Sequence, residues 1–127
     1  MAVSESEMNS ASVVRLMEFL DSPDRHDRAR AARLLVNGKE QPELVWPRLL
    51  LARHDDYWMV RYQLPRATVH FQIPAAQAIP VLRELLDDPY ESVQSGSAWA
   101  LERFGQGLQS DTLAELVRQG KRQPRTG

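Results

Sequence analysis

The sequence repeats with a period of 33 residues, and this periodicity constrains the fold more than any other feature. In each of three units, leucine recurs near the start, proline or aspartate marks the middle, and a small or apolar residue follows on one helical face. The matching sets are Leu16, Leu49 and Leu82, then Pro23, Asp56 and Pro89, then Leu34, Ala67 and Ala100. Because a unit of this length buries little surface by itself, we expect the units to form a core by stacking.

The third unit shows the predicted shape of each repeat most clearly. A first helix is predicted to start at Pro80, a tight turn follows at residues 87–89, and a second helix ends at Gly105. A last helix, capped by Ser110-Asp111 and stopped by Gly120, is expected to close the stack. Each unit is therefore interpreted as a helical hairpin.

The first two units follow the same plan, but other residues mark the starts and ends of their helices. In the first unit, Ser10 or Ser12 caps the first predicted helix, Pro23 lies near the start of the second, and Asn37-Gly38 is suited to a left-handed end. In the middle unit, prolines 42 and 47 bracket the start of the first helix. A longer helix is predicted from about residue 57 to residue 71, and the proline at position 65 inside it predicts a kink.

The sequence thus predicts an all-α, right-handed α-solenoid of three helical hairpins plus a C-terminal capping helix. The predicted domain spans residues 10–120. Residues 1–9 are expected to be a flexible N-terminus, and residues 121–127 a flexible basic tail. A chain of 127 residues is long enough to bury a single core without help.

The third unit also resembles a known family. Its residues are similar to one HEAT repeat of the short bacterial type, which also occurs in phycobilisome-lyase-like proteins. The residues that carry the resemblance are Pro80, Leu82, Leu85, Leu86, Asp88, Val93, Ala98, Ala100, Leu101, Phe104 and Gly105. The middle unit adds Val60-Arg61 at the place where the family often has valine-arginine. Pro65, and Gln94 in place of an arginine, depart from the pattern.

The resemblance implies that the second helix of each hairpin lines a concave face. With residues 57, 60, 64, 67 and 71 pointing inward, the 33-residue shift places aromatic and arginine side chains on that face. The candidate partner-binding residues are Trp58, Tyr62, Arg66, Arg33, Trp99 and Arg25. These residue types are enriched at the energetic centres of protein interfaces. The alternative is that Trp58 and Trp99 pack between neighbouring repeats.

Two other arginines have a structural interpretation. Arg28 and Arg61 occupy equivalent positions, where we expect each to pair with a turn carboxylate of the adjacent unit. The carboxylates within reach are Asp55, Asp56, Asp87 and Asp88. Neither arginine is therefore a leading candidate for binding.

Composition narrows the function. The net charge is −1 and cysteine is absent, so disulfides and thiolate metal sites are excluded, and a cytoplasmic location is expected. His26, His54 and His70 are irregularly spaced and show no metal-binding motif. We therefore expect no cofactor, no metal and no catalytic site, and predict a protein-binding scaffold that docks a protein or peptide on its concave face.

Three other possibilities remain open at this stage. The likeness to phycobilisome-lyase-like repeats implies a tetrapyrrole (bilin) binding or lyase-like role. A nucleic acid is a less favoured partner, through the arginines of residues 25–33. A homodimer joined through the apolar ends of the stack is also expected to be feasible.

Overall fold

The computed structural model describes residues 4–105, and all regular secondary structure in this range is helical. Eight α-helices and one 3₁₀ segment follow each other in that range. They are α1 (Glu5–Asn9), α2 (Val13–Phe19), α3 (Arg25–Gly38), α4 (Pro42–Leu50), the 3₁₀ segment (Leu51–His54), α5 (Trp58–Arg61), α6 (Gln63–His70), α7 (Ala75–Leu85) and α8 (Glu91–Phe104). None of these helices is long and apolar enough to cross a membrane.

The helix boundaries reproduce the period found in the sequence. The second helices of the three hairpins begin at Arg25, Trp58 and Glu91, 33 residues apart in each case. The first helices of the second and third hairpins begin at Pro42 and Ala75, with the same separation. The predicted arrangement of three stacked helical hairpins is therefore confirmed for the described residues.

The second helices form a continuous inner layer. Helix α3 packs against α5 and α6, and α6 packs in turn against α8. Helices α2 and α7 pack on the outer side, against α3 and α8 respectively, and α4 contacts α6. Between the layers lies a core of leucine, valine and alanine, including Leu35, Val36, Val45, Leu49, Val60, Leu64, Ala67, Leu82, Val93, Ala100 and Leu101. Stacking, rather than any single hairpin, buries this surface.

The N-terminal segment differs from the prediction. Residues 5–9 form helix α1 instead of a flexible terminus, and Met8 is completely buried in the core. The helix is short, but the Ser4 hydroxyl accepts a hydrogen bond from the Glu7 backbone N–H at 3.1 Å and caps its start. A single apolar residue in a polar segment gives no helical periodicity, so the sequence pattern could not reveal this docking.

Prolines proved to be poor markers of helix starts. Helix α7 begins five residues before Pro80, and α4 likewise contains Pro47 in its interior. Among the prolines of residues 4–105, only Pro42 lies at a first helical position. An interior proline leaves the carbonyl four residues earlier without its helical partner. For Pro80 that carbonyl belongs to Ala76, an exposed residue, where water can replace the lost hydrogen bond.

The predicted kink in the middle unit is confirmed. The long second helix is interrupted at Tyr62, which separates α5 from α6. Pro65 has no backbone N–H, so it cannot bond to the carbonyl of Arg61, immediately before the interruption.

The left-handed helix ends lie one residue later than predicted. Lys39, rather than Asn37 or Gly38, adopts a positive φ of 57° after α3. Gln72 adopts φ 54° at the equivalent position after α6. Helix α3 is capped by Asp24 and begins at Arg25, two residues after Pro23, which was predicted near its first position. The predicted helix at residues 110–120 and the tail at 121–127 lie outside the described residues.

Candidate functional site

An arginine–aspartate ladder joins the turns of successive hairpins. Arg28 donates from Nε to Asp55 Oδ2 at 2.9 Å and from Nη2 to Asp55 Oδ1 at 3.2 Å and Asp56 Oδ1 at 2.9 Å. Its Nη1 donates to the Ser22 carbonyl at 2.8 Å. The hydrogen-bonded carboxylate of Asp55 is the main reason why the pKa of Arg28 lies above its usual value.

The same contacts recur one unit later. Arg61 forms a bidentate ion pair with Asp88, at 2.7 Å from Nε and 3.1 Å from Nη2. Its Nη1 donates to the Asp55 carbonyl at 2.8 Å. This pair is largely buried, with 12% of the arginine and 5% of the aspartate side chain exposed. The prediction that Arg28 and Arg61 pair with turn carboxylates of the next unit is confirmed.

The ladder also explains the departure at Gln94. Its Nε2 donates to the Asp88 carbonyl at 2.5 Å, just as the two arginines bond to the carbonyl six residues before them. Each arginine also reaches an aspartate 27 residues later. The residue at that distance from Gln94 is Lys121, which is not an acid. Gln94 thus keeps the carbonyl contact that the two arginines make, at a repeat position without an aspartate 27 residues later.

The concave face carries a groove with a volume of about 870 Å³. Five of the six predicted partner-binding residues line it: Arg33, Trp58, Tyr62, Arg66 and Trp99. The sixth, Arg25, lies outside this lining and stacks its guanidinium 4.7 Å from the ring centre of Tyr57. The stacking of three second helices therefore gathers these side chains into one concave surface, which we call the groove.

Aromatic rings form one side of the groove. Trp58 stacks face to face on Tyr90 of the next unit, with ring centres 4.4 Å apart and planes 7° apart. Tyr62 meets Trp58 edge-on at 6.3 Å. Trp99 is 39% exposed, and the guanidinium of Arg103 lies 5.4 Å from its ring centre. Packing between repeats thus accounts for part of Trp58, whereas Trp99 presents its ring to solvent.

The floor of the groove depends on a glycine. A Cβ added to Gly96 on α8 would lie 3.0 Å from Tyr62 Cε1 and 3.7 Å from Pro65 Cβ. Such a distance is shorter than an ordinary carbon–carbon contact, so the missing side chain allows the tyrosine ring to lie against α8. The break before Pro65 and the glycine opposite it act together to place Tyr62.

The arginines of the groove have neutral partners. Arg66 donates from Nη1 to Gln63 Oε1 at 2.5 Å and from Nη2 to Asn37 Oδ1 at 2.6 Å. Arg33 is exposed on α3. Within residues 4–105, neither arginine forms an ion pair with a carboxylate. Their charges are therefore not neutralised by the part of the chain that the structure describes.

Sequence reasoning missed several lining residues. They are Met59, Gln63, His70, Glu91, Ser92, Ser95 and Gly96. Glu91 shares its repeat position with Arg25 and Trp58, and Ser95 shares its position with Tyr62. The other residues belong to neighbouring rows of the same repeat, since Met59 and Ser92 match His26, and His70 matches Asn37. Extending the 33-residue alignment to every position of the second helices outside the predicted core face would have included them.

The described residues contain no cluster of three or more His, Cys, Asp or Glu side chains that could hold a metal ion. The three histidines are spread over separate contacts. His26 meets the ring of Tyr57 edge-on at 5.5 Å, and His70 Nδ1 donates to the Arg66 carbonyl at 2.9 Å. His54 ends the 3₁₀ segment. The groove therefore offers rings, amides and guanidinium groups, which suit recognition of a ligand.

Comparison with known proteins agrees with this architecture. Neither the curated proteins nor the solved structures gave a match. Among protein families, the model described as HEAT repeats matches residues 46–126, well over half of the chain. The matched range covers the second hairpin from Trp46 onward and the third hairpin, and their second helices begin at the same 33-residue spacing as that of the first. The chain therefore belongs to the HEAT repeat family.

Proposed function

We propose that the protein is a non-catalytic binding module that holds a protein or peptide partner in the groove. The observation that carries the proposal is the combination of exposed rings with unneutralised arginines in one concavity of about 870 Å³. Tryptophan, tyrosine and arginine contribute most to binding when they converge near the centre of an interface. HEAT repeats generally mediate protein–protein interactions, and a groove along the second helices offers a continuous surface for this.

The groove is also partly preorganised. Trp58 is held by its stack on Tyr90, and Arg66 by its two amide partners. Side chains that are already ordered lose less conformational entropy when a partner binds. For the same contacts, the groove is therefore expected to bind a partner more tightly than a surface whose side chains become ordered only on binding.

Selection of random peptides against the full chain tests this proposal. The groove variant combines Trp99→Ala with Arg66→Ala, because both side chains line the groove. The control variant combines Leu51→Ala with Arg83→Ala, which remove an exposed leucine and an exposed arginine elsewhere on the surface. Peptides selected with the unmodified chain are expected to lose binding to the groove variant and to retain it with the control.

Thermal melting of each variant completes the test. The control variant changes exposed side chains and should shift Tm little. A moderate decrease in Tm is expected for the groove variant, because Arg66 is half-buried and Trp99 is 39% exposed. Selected peptides that bind the groove variant as tightly as the unmodified chain would refute the proposal. A large loss of stability in the groove variant alone would instead assign Trp99 and Arg66 to the folded core.

A tetrapyrrole is a second proposed ligand. The favouring observation is that flat rings and two arginines border the same groove, since a bilin presents a conjugated ring system together with propionate groups. The groove volume also lies within the range of small-molecule sites. Titration with a bilin, followed by visible absorbance, tests it. An unchanged spectrum at saturating protein would eliminate this ligand.

A further inference from the structure

The charges of the groove point to the chemistry of its partner. We infer, building on the proposed function, that the groove accepts an extended peptide segment carrying two carboxylates followed by a large apolar side chain. The residues responsible form one row across the three second helices. Arg33 on α3, Arg66 on α6 and Trp99 on α8 occupy equivalent positions of successive repeats. The row therefore presents two cations and then an aromatic ring.

The first argument is charge complementarity. Arg66 is held by Asn37 and Gln63, both of which are neutral, and these contacts leave several of its guanidinium N–H groups free to donate. A planar guanidinium in a fixed orientation favours paired hydrogen bonds to a carboxylate. Arg33 lies at the same repeat position on the neighbouring helix and has no carboxylate partner among the described residues.

The second argument is that the cationic end continues beyond Arg33. A smaller hollow of about 310 Å³ adjoins the groove and shares Arg33, Met59 and Gln63 with it. Arg30 and His26 also line this hollow, and Glu5 of α1 is its one acidic lining residue. At the opposite end the groove is lined by Trp99 and Tyr62. The combined surface thus passes from the arginines and histidine of α3 to the ring of Trp99 on α8, where the Arg103 guanidinium lies 5.4 Å from the ring centre.

The remaining acidic side chain of the groove lies elsewhere on the repeat. Glu91 begins α8, two helical turns before Trp99, and it shares its repeat position with Trp58 and Arg25. Glu91 has a contact of its own within the fold. The row from Arg33 to Trp99 therefore contains no acid.

The spacing of the row suggests the spacing of the partner. Axes of packed helices lie roughly 8–10 Å apart. A polyproline II segment advances ~3.1 Å per residue and returns to the same face every third residue, or ~9 Å. An extended segment with glutamate, glutamate and phenylalanine at every third position therefore matches the row, with each side chain facing one helix.

Synthetic peptides test the inference directly. The probe is a fluorescently labelled peptide of the form Glu-x-x-Glu-x-x-Phe, in which x is alanine, serine or proline, and a second peptide reverses the order. A third replaces both glutamates by lysine, and a fourth replaces phenylalanine by serine. Fluorescence anisotropy with the full chain is expected to show the tightest binding for one acidic order, with a loss of at least about tenfold on replacing glutamate by lysine.

Variants of the chain locate the contact. Arg66→Gln and Arg33→Gln are each expected to weaken binding of the acidic peptide by about tenfold, which corresponds to ~1.4 kcal/mol. Arg83→Gln removes the same charge from an exposed position outside the groove and is expected to leave affinity unchanged. Increasing the ionic strength is expected to weaken binding of the acidic peptide. This loss of affinity is expected to be larger than the loss caused by replacing its phenylalanine with serine.

The possible outcomes are separable. The inference is overturned if neither acidic order binds, if the lysine peptide binds as tightly, or if both glutamine variants bind the acidic peptide like the unmodified chain. It is also overturned if a single-stranded oligonucleotide binds more tightly than every peptide. If random selection yields groove-dependent peptides that lack acidic residues, the proposed function stands and this inference fails. If selection yields no groove-dependent peptide, both fail.

Discussion

Two pairs of arginines, with members five residues apart in the first and in the second hairpin, have opposite surroundings. Arg28 and Arg61 belong to the ladder, where each bonds to carboxylates of the next hairpin and to a backbone carbonyl. Arg33 and Arg66 belong to the groove, where the side chain of Arg66 meets only neutral amides. Since five residues turn a helix by about 500°, the two pairs lie on different faces of the second helices.

This comparison shows that the surroundings of an arginine, and not its recurrence, decide its role. The ladder face meets the turns, which contain aspartates that also accept the backbone N–H of the residue just before the following helix. Asp55 Oδ1 accepts the Tyr57 N–H and Asp88 Oδ1 accepts the Tyr90 N–H, each at 2.9 Å. The concave face lies away from the turns, so its arginines have no such partner there. Recurrence in a repeat can therefore mark either a structural clamp or a binding surface.

The largest expected effect is the removal of a ladder arginine. Arg61→Ala should lower the free energy of unfolding by about 3–5 kcal/mol, because it leaves the buried carboxylate of Asp88 without its charged partner. Chemical denaturation monitored by circular dichroism measures this. Arg28→Ala should lower the free energy of unfolding by a smaller amount, because Asp56, the second of the two aspartates that Arg28 contacts, is mostly exposed to water. Equal stability of Arg61→Ala and the unmodified chain would contradict the structural role of the ladder.

A smaller loss is expected at the end of the ladder. Gln94→Ala should lower the free energy of unfolding by about 1–2 kcal/mol, because the buried amide donates to the Asp88 carbonyl and its removal leaves that acceptor without this donor. Denaturant titration under the same conditions measures it. A loss as large as that of Arg61→Ala would indicate that Gln94 contributes more to the free energy of unfolding than this hydrogen bond does.

The groove arginine should behave differently. Arg66→Gln is expected to change the free energy of unfolding by less than about 0.5 kcal/mol, because its contacts are to neutral side chains near the surface. The same denaturation experiment, paired with peptide binding, measures both effects. A loss of several kcal/mol would place this arginine with the ladder and remove the distinction between the two pairs.

The smallest expected effect concerns acid stability in the first hairpin. The backbone N–H of His26 donates to the Asp24 carboxylate at 2.8 Å, and this bond is the main reason why the pKa of Asp24 lies below its usual value. The resulting stabilisation is complete above the unfolded pKa of ~3.9 and is lost as the pH falls through the lower folded pKa. Between neutral pH and pH ~2, the Tm of the unmodified chain should therefore fall more steeply than the Tm of Asp24→Asn.

Asparagine is a suitable replacement because it also caps helices but does not titrate in this range. Other acidic groups protonate in both proteins, so the difference between the two curves isolates Asp24. Parallel curves would show that this carboxylate has the same pKa in the folded and unfolded chain.

Much of the fold could be predicted because it follows from local periodicity. The positions of Val60, Leu64 and Ala67 on one helical face predicted their burial, and Pro65 predicted the interruption at Tyr62. The ladder was predictable because turn aspartates and arginines recur in register. Helix starts were less predictable, since a proline is tolerated at an interior position wherever the freed carbonyl reaches water.

The site was predictable only in part. Aligning repeats identified Trp58, Tyr62, Arg66, Arg33 and Trp99, all of which line the groove. The alignment could not show that Trp58 stacks on Tyr90, because that contact joins residues of different hairpins. Nor could it show that Gly96 makes room for the Tyr62 ring.

The sequence by itself determined the repeating unit, the helical hairpins and the side chains that share a face, because these depend on spacing along one chain. Tertiary structure alone decided which aspartates the ladder arginines meet, how far each tryptophan is exposed, and that α1 docks through Met8. Those properties depend on distances between hairpins. A period of 33 residues brings equivalent positions side by side, but only the packing of neighbouring helices determines what each side chain meets.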